Sequence, residues 1–179
     1  IILCIDPGTL FMGYALMEVQ GKKLSVIKMD VLKLSAKKDA YERLQKIHGT
    51  VCELAVTYRP SSFAIEAPFY GKNVQSMLKL GRAQGVAIAA ALTTGIPVTE
   101  YSPKKIKQSI TGNGNASKEQ VAKMLQSLLS LKELPKNLDS TDGLAAAVCH
   151  FYNSGKVEVG KSYTGWTAFV KQNEHKIIK

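Results

Sequence analysis

Three apolar runs separated only by tight turns fill residues 1–34, and this pattern limits the possible folds more than any other feature of the chain. Residues 1–6 read as a buried strand, Ile-Ile-Leu-Cys-Ile-Asp, followed by the turn Pro7-Gly8-Thr9. Residues 13–19 read as a second strand and 24–34 as a third, with the turn Gly21-Lys22-Lys23 between them. Turns this short favour antiparallel neighbours. After residue 34 the pattern changes. Leu44, Ile47, Val51, Leu54 and Ala55 recur at helical spacing over 39–58, and Pro60 ends that helix. A fourth strand is expected at 62–66, a long Ala- and Gly-rich helix at 74–93 and a fifth strand at 96–101. Shorter helices are expected at 103–110 and 117–130, and a last one at 139–153. Parallel strands need a crossover, usually helical and right-handed. Strand 1 therefore sits centrally, with strands 2 and 3 on one side and 4 and 5 on the other. The expected fold class is α/β: a mixed five-stranded sheet, three antiparallel strands followed by parallel strands, flanked by helices.

Four carboxylates sit where these elements meet loops. Asp6 closes the first strand and Glu66 the fourth, while Asp139 and Asp142 open the last helix, three residues apart and so on one helical face. Ligands of such sheets bind beyond the carboxyl ends of the strands, near a switch in strand order. The chain around these acids is basic, with 24 Lys and Arg against 14 Asp and Glu and a formal net charge of +10. That balance favours a polyanionic partner. No segment joins a basic face to bulky apolar anchors, so nucleic acid is favoured over a membrane surface. Carboxylates converging in such surroundings suit Mg²⁺, a hard cation that prefers oxygen ligands. Two such ions can clamp the attacking and leaving oxygens of a phosphodiester.

Other classes are less well served. No apolar run approaches the roughly 20 residues of a membrane span, and no basic segment precedes an apolar one at the start. Cys4, Cys52 and Cys149 are far apart in apolar contexts and make no zinc pattern. A cytoplasmic protein is expected. The length of 179 residues suggests one domain over 1–153, followed by a basic tail over 154–179. In that tail Lys156, Lys161, Lys171, Lys176 and Lys179 outnumber Glu158 and Glu174, and Tyr163, Trp166 and Phe169 are interleaved.

Several stretches carry a resemblance: Ile5-Asp6-Pro7-Gly8-Thr9 with Gly13-Tyr14, Phe63-Ala64-Ile65-Glu66, the run from Lys72-Asn73 through Leu78-Lys79-Leu80-Gly81 to Ala87, and Asp139-Ser140-Thr141-Asp142-Gly143-Leu144-Ala145. In order and spacing, from residue 1 to about 153, they closely resemble the RuvC family of Holliday-junction resolvases, within the RNase H-like superfamily. The acidic pattern alone points only to the superfamily. The helix stretch with Asn73 and Leu78-Lys79-Leu80-Gly81 is what resembles RuvC in particular.

The resemblance implies an RNase H-like fold and a structure-specific endonuclease. Such an enzyme nicks two symmetry-related strands of a four-way DNA junction with divalent metal. Asp6, Glu66, Asp139 and Asp142 match the family's catalytic and metal-binding acids. Two Mg²⁺ ions per site are implied, with Mn²⁺ expected to substitute. Lys107 and Lys118 match basic residues near the scissile strand, and Lys118 is expected to neutralise charge at the scissile phosphate. Phe69 matches a base-contacting aromatic. The resemblance also implies a homodimer built through the 74–93 helix and work alongside a branch-migration motor, RuvA and RuvB. It does not cover the tail.

Each feature also has an ordinary reading. Asp6 is a plausible turn former before Pro7-Gly8. Asp139 is a plausible N-cap and Asp142 a favourable first-turn acid. Glu66, followed by Ala67-Pro68, has no obvious turn role. Phe69 and Tyr70, flanked by Gly71-Lys72, form either a core clamp or a wedge that stacks on bases, and Phe69 is the better wedge. Lys72, Lys104, Lys105, Lys107 and Lys118 are DNA-contact candidates. The last four flank the loop Thr111-Gly112-Asn113-Gly114-Asn115, and Ser117 is a candidate N-cap at an anion-favouring helix start. Gly81, Gly85 and Ala89 put small side chains on one helical face, for packing either on the chain's own sheet or on a second copy. His150 lies about 12 Å along the helix from Asp142, too far to share a metal. His48 and His175 lack acidic or cysteine partners. Three rivals are weighed, one of them a non-catalytic junction-binding module, which predicts the loss of at least one carboxylate where none is missing. Asp6-Pro7-Gly8-Thr9 with Gly13 imitates the first phosphate loop of an actin-like ATPase, but the second such loop is missing. Another RNase H-like nuclease, acting on RNA–DNA hybrids, is the nearer alternative.

Overall fold

The computed structural model describes residues 1–68, 73–131, 133 and 139–154. Phe69, Tyr70 and Lys72 and the tail from residue 155 lie outside the described residues. The elements are β1 (Ile2–Asp6), β2 (Phe11–Gln20), β3 (Lys23–Lys33), α1 (Ala40–Tyr58), β4 (Ser62–Glu66), α2 (Val74–Thr93), β5 (Val98–Tyr101), α3 (Pro103–Thr111), α4 (Lys118–Leu128) and α5 (Asp139–Ser154). The sheet order is β3-β2-β1-β4-β5. β1 is antiparallel to β2 and β2 to β3, while β4 runs parallel to both β1 and β5. This is the mixed five-stranded sheet with a central first strand that the turn and crossover pattern implies.

Alternation along the strands sorts the core into two layers. Leu3, Ile5, Phe63 and Ile65 face α1 and α2, meeting Ile47, Val51, Leu54, Ala83, Ala87 and Ala91. Ile2, Cys4 and Ala64 face α3, α4 and α5, meeting Ile106, Ile110, Val121, Leu125 and Val148. Side chains such as Phe63, Leu3, Ile5 and Leu144 are fully buried, each contributing about 1.5–3 kcal/mol of hydrophobic stabilisation. In α5 the whole run from Leu144 to Cys149 is buried. An apolar helix of this kind fits only between layers, and its alanines let it lie close to the strands.

Helix ends follow local chemistry. The Asn73 side chain accepts from Ser76 N at 3.1 Å and starts α2. Ser102 and the Pro103 that follows it start α3. Ser117 and Gln120 form a reciprocal capping box at α4. Boundaries move slightly from those expected. β2 begins at Phe11 because its ladder with β3 reaches Lys33. β5 begins at Val98, after Pro97, whose carbonyl accepts from Phe63 N at 2.9 Å.

On α2, Ala83, Gln84, Ala87, Ala90 and Ala91 are buried and face inward. Gly81 and Gly85 do not pack on the sheet, since a Cβ at either would meet nothing within 4 Å.

Candidate active site

The parity that builds the core also aims the acids. Asp6 follows Cys4 by two residues and Glu66 follows Ala64 by two, so both point to the α5 side of the sheet. The β1–β4 register runs from Ile2↔Ser62 to Ile5↔Ile65, making Asp6 and Glu66 the next residues on neighbouring strands. Across β1, Asp6 pairs with Gly13. The first turn of α5 lies on that spot. A Cβ at Gly143 would stand 3.1 Å from Tyr14 Cα and 3.3 Å from the Gly13 carbonyl carbon. Any larger residue would make this contact tighter than ordinary packing, and the approach brings Asp142 to the end of β1. Gly8 is similarly constrained: a Cβ there would overlap the Phe11 carbonyl oxygen, so the turn after Asp6 closes only with glycine.

Asp6, Glu66 and Asp142 line one cleft of about 140 Å³, together with Pro103, Ile106, Lys107, Lys118, Val121 and Ala145. All three carboxylates are partly buried. Lys118, the first residue of α4, places Nζ 2.6 Å from Asp142 Oδ2. The Glu66 carboxyl is pushed up to about 7, first by burial and then by the Asp142 charge, with Lys118 and Lys107 pulling the other way. Asp139 is the first residue of α5, and its side chain lies outside the described residues. Lys104 and Lys105 sit on the exposed side of α3, away from the cleft walls, with the Lys104 stem against Gly114. Phe69, Tyr70 and Lys72 fall outside the described residues.

His150 is buried and structural in character: its Nδ1 lies 3.0 Å from the Tyr101 hydroxyl, and burial lowers its pKa. Gly143 is the positioning residue that motif reading passed over. Its signal was a glycine set inside an otherwise good helical run, where it costs about 1 kcal/mol against alanine.

The donor set fits a hard divalent cation, because every cleft acid offers carboxylate oxygens. The Glu66 carboxyl is raised first by burial and only then by the Asp142 charge, and a cation bound beside it would favour its ionised form. Among the described residues no three acidic, His or Cys side chains are drawn tightly enough to hold an ion by themselves.

A β3-β2-β1-β4-β5 sheet with carboxylates at the ends of its two central parallel strands, met by a helix that brings a further acid, defines the RNase H-like class of nucleases. Comparison with known proteins narrows the class. The model of the family described as "Crossover junction endodeoxyribonuclease RuvC" matches residues 2–150. The crossover junction endodeoxyribonuclease RuvC of Christiangramia forsetii is 68% identical over 177 residues, covering 99% of this chain and 92% of its own. That of Dehalococcoides mccartyi is 44% identical over 149 residues, covering 83% of this chain and 89% of its own. Thermus thermophilus RuvC in complex with a Holliday junction substrate superposes with a TM-score of 0.79 at 32% identity, covering 87% of this chain and 95% of the other. The chain belongs to the RuvC family, a family of metal-dependent nucleases.

Proposed function

We propose that this protein resolves four-way DNA junctions by paired, symmetric phosphodiester hydrolysis, in recombination and repair. The observation that carries this reading is the convergence of Asp6, Glu66 and Asp142 with Lys107 and Lys118 in one cleft of a RuvC-family chain. Asp6, Glu66, Asp142 and the neighbouring Asp139 would hold Mg²⁺, two ions per site, with Mn²⁺ as a substitute. Bound there, the metal would supply an activated water and neutralise charge on the phosphate. The rest of the chemistry falls to the protein. Asp6 and Glu66, fixed on adjacent strands, set the depth to which the scissile strand enters. Lys118 moves from its Asp142 partner to the scissile phosphate, and Lys107 contacts the same strand. Lys104, Lys105 and Lys72 extend the basic track, while Phe69 and Tyr70, next to Glu66 in sequence, stack on bases at the branch.

A second copy completes the enzyme in this reading. On α2, Val74, Leu78, Gly81, Gly85, Ala89 and Leu92 form an exposed stripe at helical spacing, with Leu78 54% and Leu92 58% exposed. A self-complementary stripe of this kind suits a two-fold interface. The nuclease domain is taken as 1–153 and the basic tail as 154–179. The setting is the cytoplasm, with RuvA and RuvB presenting the junction. No described helix is long and apolar enough to cross a membrane.

The test is incubation with a synthetic four-way junction, a linear duplex and an RNA–DNA hybrid, each with Mg²⁺ or EDTA. The reading predicts metal-dependent nicks at the junction alone. Preferential cleavage of the hybrid would move the protein to the neighbouring RNase H-like activity.

A further inference from the structure

At the end of the sheet opposite the carboxylates lies a second concavity, a groove of about 830 Å³. Leu24 and Val26 of β3, Leu128 and Leu129 from the end of α4, and Phe151 and Tyr152 from the last turns of α5 line it. Leu24, Leu129 and Phe151 pack on the core, so the floor of the groove is continuous with the hydrophobic interior. Leu128 and Tyr152 remain 43% and 40% exposed.

The chain itself supplies an occupant. The described residues end at Ser154, only two residues beyond Tyr152 in the groove wall. The following segment carries Tyr163, Trp166, Phe169 and Val170 at i, i+3, i+6 and i+7, a spacing that gathers them on one helical face. Roughly a dozen residues separate Ser154 from Trp166, up to ~40 Å when extended, so reach does not limit docking. A tether this short gives a millimolar effective concentration, enough for even a weak contact to hold. The family model stops at residue 150, and the D. mccartyi match covers 83% of the chain. The C. forsetii match spans 99% of it and therefore includes the tail. The segment is thus an addition to the shared nuclease core, and one that a relative also carries.

We propose that this groove is the docking site of the chain's own C-terminal segment, residues 155–179, anchored by Tyr163, Trp166 and Phe169. Trp166 is the only tryptophan and reports on the proposal directly. In the full-length, DNA-free protein its emission should be blue-shifted, and acrylamide should quench it several-fold less than free indole. Leu128→Glu, and separately Tyr152→Ser, should red-shift the emission and restore quenching, while circular dichroism and junction cleavage stay unchanged. Both side chains are already exposed, so the fold should tolerate either change. Three outcomes would overturn the proposal. Exposed indole in the wild-type protein, or indole shielded only when junction DNA is added, would make the tail a free or DNA-bound segment. Shielding that neither groove variant disturbs would place the tail elsewhere. Shielding lost on dilution would make the occupant the tail of a second copy.

Discussion

Glu66 is the residue on which the electrostatics of the cleft turn. Its carboxyl sits near 7 because burial and the Asp142 charge both resist ionisation. A carboxyl raised from 4.5 in the unfolded chain to about 7 in the fold favours the native state below 4.5. That contribution is lost as pH climbs through 7. Glu66→Gln should therefore be more stable than the wild type in metal-free buffer at pH 8, by roughly 1–3 kcal/mol, and no more stable than the wild type at pH 4. Thermal denaturation in EDTA at the two pH values checks this, and a variant less stable at pH 8 would contradict it. Lys107 provides a separate test. If it contacts a phosphate, Lys107→Ala should make the slope of log K against log salt shallower by about one unit. Fluorescence anisotropy with a labelled junction reads that slope, and an unchanged value would put Lys107 off the DNA path. Asp6 and Glu66 stood out as candidates from their places at strand ends, while Lys107 and Lys118 came with the family resemblance. Their mutual effects were not legible in the sequence. The Lys118–Asp142 ion pair joins residues far apart in sequence, and the burial that lifts Glu66 comes from packing that no local pattern encodes.

Among the elements, α5 does most to assemble the site. Its apolar run from Leu144 to Cys149 holds it between the sheet and α3 and α4, and its first turn presses on β2 at Gly143. Gly143→Ala would improve helix propensity by about 1 kcal/mol. It would also bring a methyl to 3.1 Å from Tyr14 Cα, a contact that β2 or the first turn relieves by shifting a few tenths of an ångström. Cleavage should fall at least tenfold with a small change in melting temperature. Gly143→Val should be worse in both respects, and a fully active Gly143→Ala would show that this close approach does not set the position of Asp142. The extents of α2 and α5 were readable in advance because both are long runs of helix-forming residues, while the Asn73 cap of α2 emerged only in the structure. The β2 start at Phe11 was not readable, since it depends on how far β3 extends opposite it. That α5 crosses β2 at a glycine is likewise a tertiary fact, visible in the sequence only as an oddly placed residue.

For the molecule as a whole, the sheet order followed from turn lengths and crossovers, while the groove behind α5 has no sequence signature, because three distant segments line it. The proposed assembly rests on the exposed stripe of α2. Gly85→Leu adds a bulky side chain where nothing stands within 4 Å, so the protomer should fold normally. Sedimentation should then show monomers, and a cruciform plasmid should yield nicked circles where the wild type gives linear product. A wild type that stays monomeric at micromolar concentration, with and without junction DNA, would contradict paired cleavage. The claim beneath all of this is that the cleft of Asp6, Glu66 and Asp142 cuts the DNA. The most direct measurement compares cleavage and binding of one synthetic four-way junction by the wild type and by Asp6→Asn in Mg²⁺. Cleavage by the variant should fall about a thousandfold or more, equivalent to ~4 kcal/mol of lost transition-state stabilisation. Junction affinity should stay largely intact, because the basic surface supplies it. Near-normal cleavage by Asp6→Asn would show that the active site lies elsewhere.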